Sequence, residues 1–84
     1  MAQKVFLYAL STCGHCRRTK EFLNQKQVDF DFVDVDLSHG EDRERVINEV
    51  KKHNPALTFP TLIIDGRIIV GFKEEEIRDA LAET

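Results

Sequence analysis

The sequence predicts an α/β fold in which one mixed sheet of four strands carries helices on both faces. Short apolar or alternating runs rich in β-branched and aromatic residues predict the strands, which cover residues 5–10, 30–35, 62–64 and 68–70. Amphipathic periodicity predicts the helices, at about residues 14–25, 41–52 and 74–83. The order βαβ, then α, then ββα combines a parallel pair with an antiparallel hairpin, and one mixed sheet accommodates both.

Length and charge limit the kinds of protein that this chain can be. The 84 residues leave room for a single domain over residues 1–84. A net charge of −3 gives no electrostatic attraction to nucleic acid or to an anionic membrane. No apolar stretch approaches the ~18 residues of a membrane span. Residues 1–4 run straight into strand-like sequence without a signal-peptide core, so we expect a monomeric cytoplasmic protein.

The first strand and the first helix frame the most informative part of the chain. Residues 5–10 are apolar on both faces, which is typical of a buried central strand. Ser11 and Thr12 then offer hydroxyls where a helix begins. The helix should run from Gly14 to about Gln25. One of its faces collects the residues that we expect to be buried, namely Cys16, Thr19, Phe22 and Leu23.

The second strand contains a change of phase. Apolar residues alternate with aspartates as far as Phe32, and from Val33 onward they alternate on the opposite face. Either a bulge lies between Phe32 and Val33, or both faces of the strand are covered. The sequence leaves both alternatives open. A right-handed crossover should place this strand parallel to the first.

The second half of the chain predicts a helix, a hairpin and a last helix. The helix begins near Glu41 with acids in its first turn, and Asn54-Pro55 ends it. Its buried stripe is Val46, Ile47 and Val50. Asp65-Gly66 suits the two-residue type I′ turn of a hairpin. The last helix, Glu74 to Glu83, turns three apolar residues inward: Ile77, Ala80 and Leu81.

A close pair of cysteines, Cys13-Gly14-His15-Cys16, stands between the first strand and the first helix. Three helical residues displace a Cα by about 5 Å, within the roughly 4.4–6.8 Å that a disulfide tolerates. The pair can therefore open to a dithiol or close to a disulfide with little movement elsewhere. Structural disulfides are rare in the cytosol, so such a pair is more typical of catalysis, redox sensing or metal binding.

The start of a helix gives the two sulfurs different roles. Unpaired amides lower the pKa of Cys13 and favour its thiolate, the form that attacks disulfides. Cys16 lies one turn further in, so we expect it to stay protonated longer and then to resolve the mixed disulfide. Gly14 leaves room for a partner chain, and His15 is expected to act electrostatically on the thiolate. Lys20 is interpreted as a solvated helix charge.

Phe59-Pro60 is the second informative site. Proline opens the third predicted strand, where its missing N–H does little damage. A cis bond there would expose the backbone of Phe59, and a substrate strand could pair with it beside the dithiol. An ordinary trans proline at the edge of a strand is the alternative.

A metal centre is the main alternative use of the cysteines. Cys13, Cys16 and His15 supply at most three crowded ligands, so a structural zinc site within one chain is disfavoured. His39 and His53 lie far along the chain and are interpreted as solvated residues. The metal-binding alternative that stays open is a metal or iron–sulfur carrier that uses the Cys13 thiolate. In such a carrier, two chains would share the cluster.

Together these motifs resemble the glutaredoxins, within the thioredoxin-like superfamily. The resemblance covers nearly the whole chain and is carried by Tyr8, Thr12-Cys13-Gly14-His15-Cys16, Lys20, Thr58-Phe59-Pro60-Thr61, Asp65-Gly66-Arg67 and Val70-Gly71-Phe72. It implies a thioredoxin-like fold and a cis bond before Pro60. It also implies a thiol–disulfide oxidoreductase in which Cys13 is the nucleophile and Cys16 the resolving thiol.

The resemblance further implies a substrate groove and redox partners. Beside the two cysteines, the residues expected to bind substrate are Thr12, His15, Thr58, Phe59, Pro60, Gly71 and Phe72. No bound cofactor is expected. Disulfide-containing proteins are the expected substrates, and electrons are expected from glutathione as a co-substrate or from a flavoprotein reductase.

Three departures from the usual glutaredoxin pattern leave the electron donor open. Gly14-His15 replaces the usual Pro-Tyr and is similar to protein disulfide isomerase domains, and Leu10 stands where a lysine often contacts glutathione. Gly71-Phe72 before a lysine is similar to the glutaredoxin-like hydrogen donors of ribonucleotide reductase. Those proteins accept electrons from thioredoxin reductase.

Overall fold

A computed structural model of the chain describes residues 4–82. Its strands and helices are β1 (Val5–Ala9), α1 (Gly14–Gln25), β2 (Asp31–Asp34), α2 (Gly40–His53), β3 (Thr61–Ile64), β4 (Arg67–Val70) and α3 (Glu74–Ala82), with a short 3₁₀ helix (Val35–Leu37) after β2. Every predicted element is present within a few residues of its expected bounds. The predicted end of the last helix at Glu83 and the expectation for residues 1–3 lie outside the described residues.

The four strands form one mixed sheet in the order β2-β1-β3-β4. β1 is central, parallel to β2 and antiparallel to β3, and β4 pairs with β3 as the outer arm of a hairpin. The predicted architecture is confirmed. Among the helices described between residues 4 and 82, none has the length and apolar character needed to cross a membrane.

Apolar side chains cover both faces of the sheet, because β1 alternates between two cores. Leu7 packs in the larger core, which α1 and α3 supply with Leu23 and Ile77. Tyr8 faces the opposite way, into a smaller core with Val50 of α2. A strand that is buried on both faces reads as a continuous apolar run, which is why residues 5–10 predict the central strand.

The change of phase in β2 occurs without a bulge, and the two faces of the strand are unequally covered. The register with β1 is continuous across it, since Leu7 pairs with Phe32 and Tyr8 with Val33, and no bulge interrupts the two strands there. Val33 packs against the core beneath α2. Phe32 lies on the opposite side of this edge strand, is 50% exposed, and carries the ammonium of Lys20 at 4.1 Å from its ring centroid.

The hairpin turn has the predicted geometry. Asp65 and Gly66 both have positive φ, of 49° and 87°, as a type I′ turn requires. The turn also joins the start of β1, because the backbone N–H of Lys4 donates to the Asp65 carboxylate at 2.8 Å. Two-residue closure of this kind fixes the register of β3 and β4.

Candidate active site

Cys13 is the residue that caps α1, after the short turn at Ser11 and Thr12 that follows β1. Its backbone is extended (φ −88°, ψ 123°), and its sulfur accepts a hydrogen bond from the backbone N–H of Cys16 at 3.4 Å. The expectation that Ser11 or Thr12 caps this helix is therefore wrong. The hydroxyl of Ser11 donates instead to the carboxylate of Asp36 at 2.5 Å. Asp36 belongs to the 3₁₀ helix after β2, which lies beside this turn.

The surroundings of Cys13 favour its thiolate. Partial burial raises the pKa of the thiol, but hydrogen bonds to the sulfur from the Cys16 thiol and from the backbone N–H groups of Cys16 and His15 outweigh it. The net pKa of Cys13 lies below its ordinary value. Hydrogen bonds made to the charged form are the expected cause of such a shift.

Cys16 has the opposite character. Its side chain is fully buried in the larger core, and desolvation is the main reason why its pKa is raised to about 12. The backbone N–H of Leu10 donates to its sulfur at 3.4 Å and acts in the other direction, as does the charge of Lys20. Both cysteines are free thiols. The geometry thus combines an ionisable outer sulfur with a protonated inner one, the asymmetry that the sequence predicts.

Lys20 is not the solvated charge that the sequence indicates. Its ammonium lies 3.0 Å from a carboxylate oxygen of Asp34, and the two side chains are only 25% and 15% exposed. Phe32 lies beneath the same ammonium. Asp34 and Phe32 both belong to β2. The sequence of α1 alone therefore gives no sign of these two contacts.

The loop before β3 lies against the end of β4. The bond between Phe59 and Pro60 is cis, as the resemblance implies. Pro60 is buried, and its carbonyl accepts the backbone N–H of Gly71 at 2.8 Å. Gly71 has φ of +84°, a conformation that favours glycine. Two of the predicted substrate-binding segments, residues 58–60 and 71–72, are therefore brought together.

The remaining predicted substrate-binding residues differ in exposure. Thr12 and His15 flank Cys13 and are exposed, and so is Thr58. Phe59 is half-buried against both cores. Phe72 packs edge-on against Phe22 of α1, with ring centroids 5.9 Å apart, so its ring contributes to the core beside the site. A contact of any of these residues with substrate stays a prediction.

Asn54 is a residue of the site that the sequence analysis missed. It is 6% exposed, and its amide nitrogen donates to the Thr58 carbonyl and hydroxyl (both 3.0 Å) and to the Thr61 hydroxyl (3.1 Å). The Thr61 hydroxyl in turn donates to the Thr58 carbonyl at 2.8 Å. The sequence marks Asn54 only as the end of a helix before Pro55. Its side chain holds the loop that carries Phe59.

The donor set for a metal ion is sparse. Within residues 4–82, no three side chains of His, Cys, Asp or Glu come close enough together to hold one ion. His39 and His53 are exposed, in agreement with their interpretation as solvated residues. A cluster shared between two chains is a separate arrangement and stays a prediction.

Comparison with known proteins identifies the family. Residues 5–69 match the family model described as Glutaredoxin. The chain belongs to the glutaredoxin family. It is 38% identical over 77 residues to an uncharacterized glutaredoxin-like 8.6 kDa protein in the rubredoxin operon of Clostridium pasteurianum, and this match covers 92% of the chain and 95% of the relative.

Solved structures of related proteins share the fold of this glutaredoxin. The crystal structure of methanoredoxin from Methanosarcina acetivorans superposes with a TM-score of 0.88 at 46% identity, covering 93% of this chain and 83% of that one. The glutaredoxin from Methanosarcina mazei gives 0.85 at 49% identity, covering 93% and 77%. Family and fold together support a role in thiol–disulfide oxidoreduction. The fold is the thioredoxin-like one.

Proposed function

We propose that this glutaredoxin reduces protein disulfides and mixed disulfides through Cys13 and Cys16. The observation that carries the proposal is the capping sulfur of Cys13, which accepts hydrogen bonds from the thiol and the backbone of Cys16 while Cys16 itself is buried. A pair with these opposite ionisation tendencies separates an attacking sulfur from a resolving one.

The exchange has two steps. The Cys13 thiolate attacks one sulfur of a substrate disulfide, forming a mixed disulfide and releasing the first thiolate. Cys16 then loses its proton to solvent and attacks Cys13, so that the Cys13–Cys16 disulfide forms and the second thiolate leaves. The substrate disulfide gains two electrons and, with two protons, becomes two thiols, while the dithiol of the enzyme is oxidised.

The surface formed by residues 58–60 and 71–72 is proposed to bind the substrate. Thr58 is exposed on this surface, and no atom lies within 4 Å of a Cβ added at Gly71. Cys13 and Phe59 both pack against the larger core, and an extended substrate segment that pairs with this backbone is proposed to present its disulfide to Cys13.

The electron donor is proposed to be glutathione, as a co-substrate, or a flavoprotein reductase such as thioredoxin reductase. Leu10 supplies no cation for a glutathione carboxylate, and its side chain packs into the core beneath α2. Lys73 follows Gly71-Phe72 and is exposed, so it offers a cation next to the surface proposed to bind substrate. A cytoplasmic location and a monomeric state remain predictions from the sequence.

Coupled turnover tests this proposal directly. With a protein disulfide substrate and NADPH, the purified protein should sustain NADPH oxidation with glutathione plus glutathione reductase, with thioredoxin reductase, or with both. The reaction without the glutaredoxin provides the background. No turnover above background in either system would contradict the proposal, and a coloured, dimeric and inactive protein would support a cluster carrier instead.

A further inference from the structure

Lys20 lies one helical turn after the resolving cysteine. It lies four residues after Cys16 in α1, on the same helical face. The Asp34 carboxylate lies 3.0 Å from its ammonium, and the ring centroid of Phe32 lies 4.1 Å away. These two β2 residues keep the cation at the sheet instead of letting the side chain extend into solvent.

The buried sulfur of Cys16 has few groups that can stabilise a negative charge. The backbone N–H of Leu10 donates to it from the end of β1. The charged or titratable groups that act on it are Cys13, whose thiolate opposes ionisation, and Lys20, whose ammonium favours it while paired with the Asp34 carboxylate. The larger core supplies apolar neighbours on its other sides. Since Cys16 is 0% exposed, a nearby full charge acts on it with less screening than in water.

We propose that Lys20 is a positioning residue for the second step of the exchange, in which its charge favours the Cys16 thiolate as that sulfur attacks the mixed disulfide. The inference rests on the proposed function. Once substrate has joined Cys13, the opposing charge of the Cys13 thiolate is gone. Lys20 is then the cation that helps Cys16 to release its proton to solvent, form the S–S bond to Cys13 and expel the substrate thiolate.

The first step does not depend on Lys20. The pKa of Cys13 is set by burial and by hydrogen bonds from Cys16 and His15, and the lysine charge is not among these causes. A change at Lys20 should therefore separate the two steps, which a general loss of structure would not do.

The test uses the aromatic disulfide dithiobis(nitrobenzoate), which releases one coloured thiolate in each step. In Lys20→Met the second release should slow about fivefold at neutral pH, while the first stays within about twofold of wild type. Removing the cation raises the pKa of Cys16 and lowers its thiolate fraction, so the second release should slow while the first does not. A second cation placed at the same position should reverse this loss, which distinguishes an effect of charge from a structural defect.

Two variants control for other effects of the substitution. Lys20→Arg keeps the charge and should restore the second step. Lys26→Gln removes an exposed lysine that follows the same helix and should leave both steps unchanged. The proposal is overturned if Lys20→Met resolves as fast as wild type, if both steps slow equally, or if Lys26→Gln shows the same loss. A wild-type protein that releases no second thiolate would instead contradict the proposed function.

Discussion

Replacing Cys13 by serine is expected to reduce disulfide reduction at least about a thousandfold, because only a thiolate attacks a disulfide at a useful rate near neutral pH. The hydroxyl can still cap α1 by accepting the backbone N–H that the sulfur accepts at 3.4 Å. The helix should therefore remain folded while the nucleophile is lost. NADPH-coupled reduction of a mixed disulfide measures the effect, and circular dichroism confirms the fold.

Cys16→Ser is the matched control for Cys13→Ser. It should retain the first attack and accumulate a mixed disulfide on Cys13, which intact-mass measurement detects as the added mass of the bound thiol. Where glutathione is the donor, a second glutathione can resolve that species from outside, and turnover survives in part. If Cys13→Ser kept a rate comparable with wild type, or if Cys16→Ser formed no adduct, the assigned roles would be wrong.

Replacing Asn54 by leucine is expected to lower the free energy of unfolding by about 2 kcal/mol. Leucine has a similar size but cannot donate to Thr58 and Thr61, whose acceptors lie against a 6%-exposed amide. The Thr61 hydroxyl is buried, and losing a donor to a buried acceptor costs more than losing an exposed hydrogen bond. Urea unfolding followed by circular dichroism should show a lower midpoint with an unchanged slope.

Asn48→Leu provides the comparison for Asn54→Leu, since Asn48 is exposed on α2, the helix that Asn54 follows. It should change the midpoint little. Asn54→Leu should also raise the KM for a protein disulfide, because the same amide holds the loop proposed to bind substrate. Equal midpoints for the two variants would show that the buried amide does not stabilise the loop.

The sequence predicts those parts of the fold that depend on local pattern. The apolar run of residues 5–10 indicates a strand covered on both faces, and Asp65-Gly66 indicates a turn that only residues tolerant of positive φ form readily. The two cysteines lie where a strand ends and a helix begins, so their unequal ionisation also follows from local structure. These predictions succeed because each depends on neighbours within a few residues.

The sequence could not settle features that depend on distant partners. The change of phase between Phe32 and Val33 depends on such partners, because Val33 packs beneath α2 whereas Phe32 lies half-exposed beneath the Lys20 ammonium. Serine is often found as the residue that caps a helix, yet the Ser11 hydroxyl donates its hydrogen bond to the Asp36 carboxylate. The ion pair between Lys20 and Asp34 exists only because the crossover places β2 beside β1.

Side-chain networks at the site are equally hidden from the sequence. Asn54 before a proline has the pattern of an ordinary helix end, and its three acceptors lie on residues 58 and 61. Only the path of the loop brings those acceptors to a single amide. Polar residues that hold a functional loop in this way carry no motif of their own.

The central claim is that the fold lowers the pKa of the Cys13 thiol, and alkylation by iodoacetamide across a pH series tests it most directly. The rate should follow the thiolate fraction, with modification located by mass spectrometry in the native protein and in the urea-unfolded chain. Because hydrogen bonds from Cys16 and His15 lower the pKa of Cys13, the native midpoint should lie below that of the same residue after unfolding. Buried Cys16, with its pKa raised to about 12, should stay unmodified in the native protein across the neutral range. A native Cys13 midpoint equal to or above the unfolded one would contradict the account.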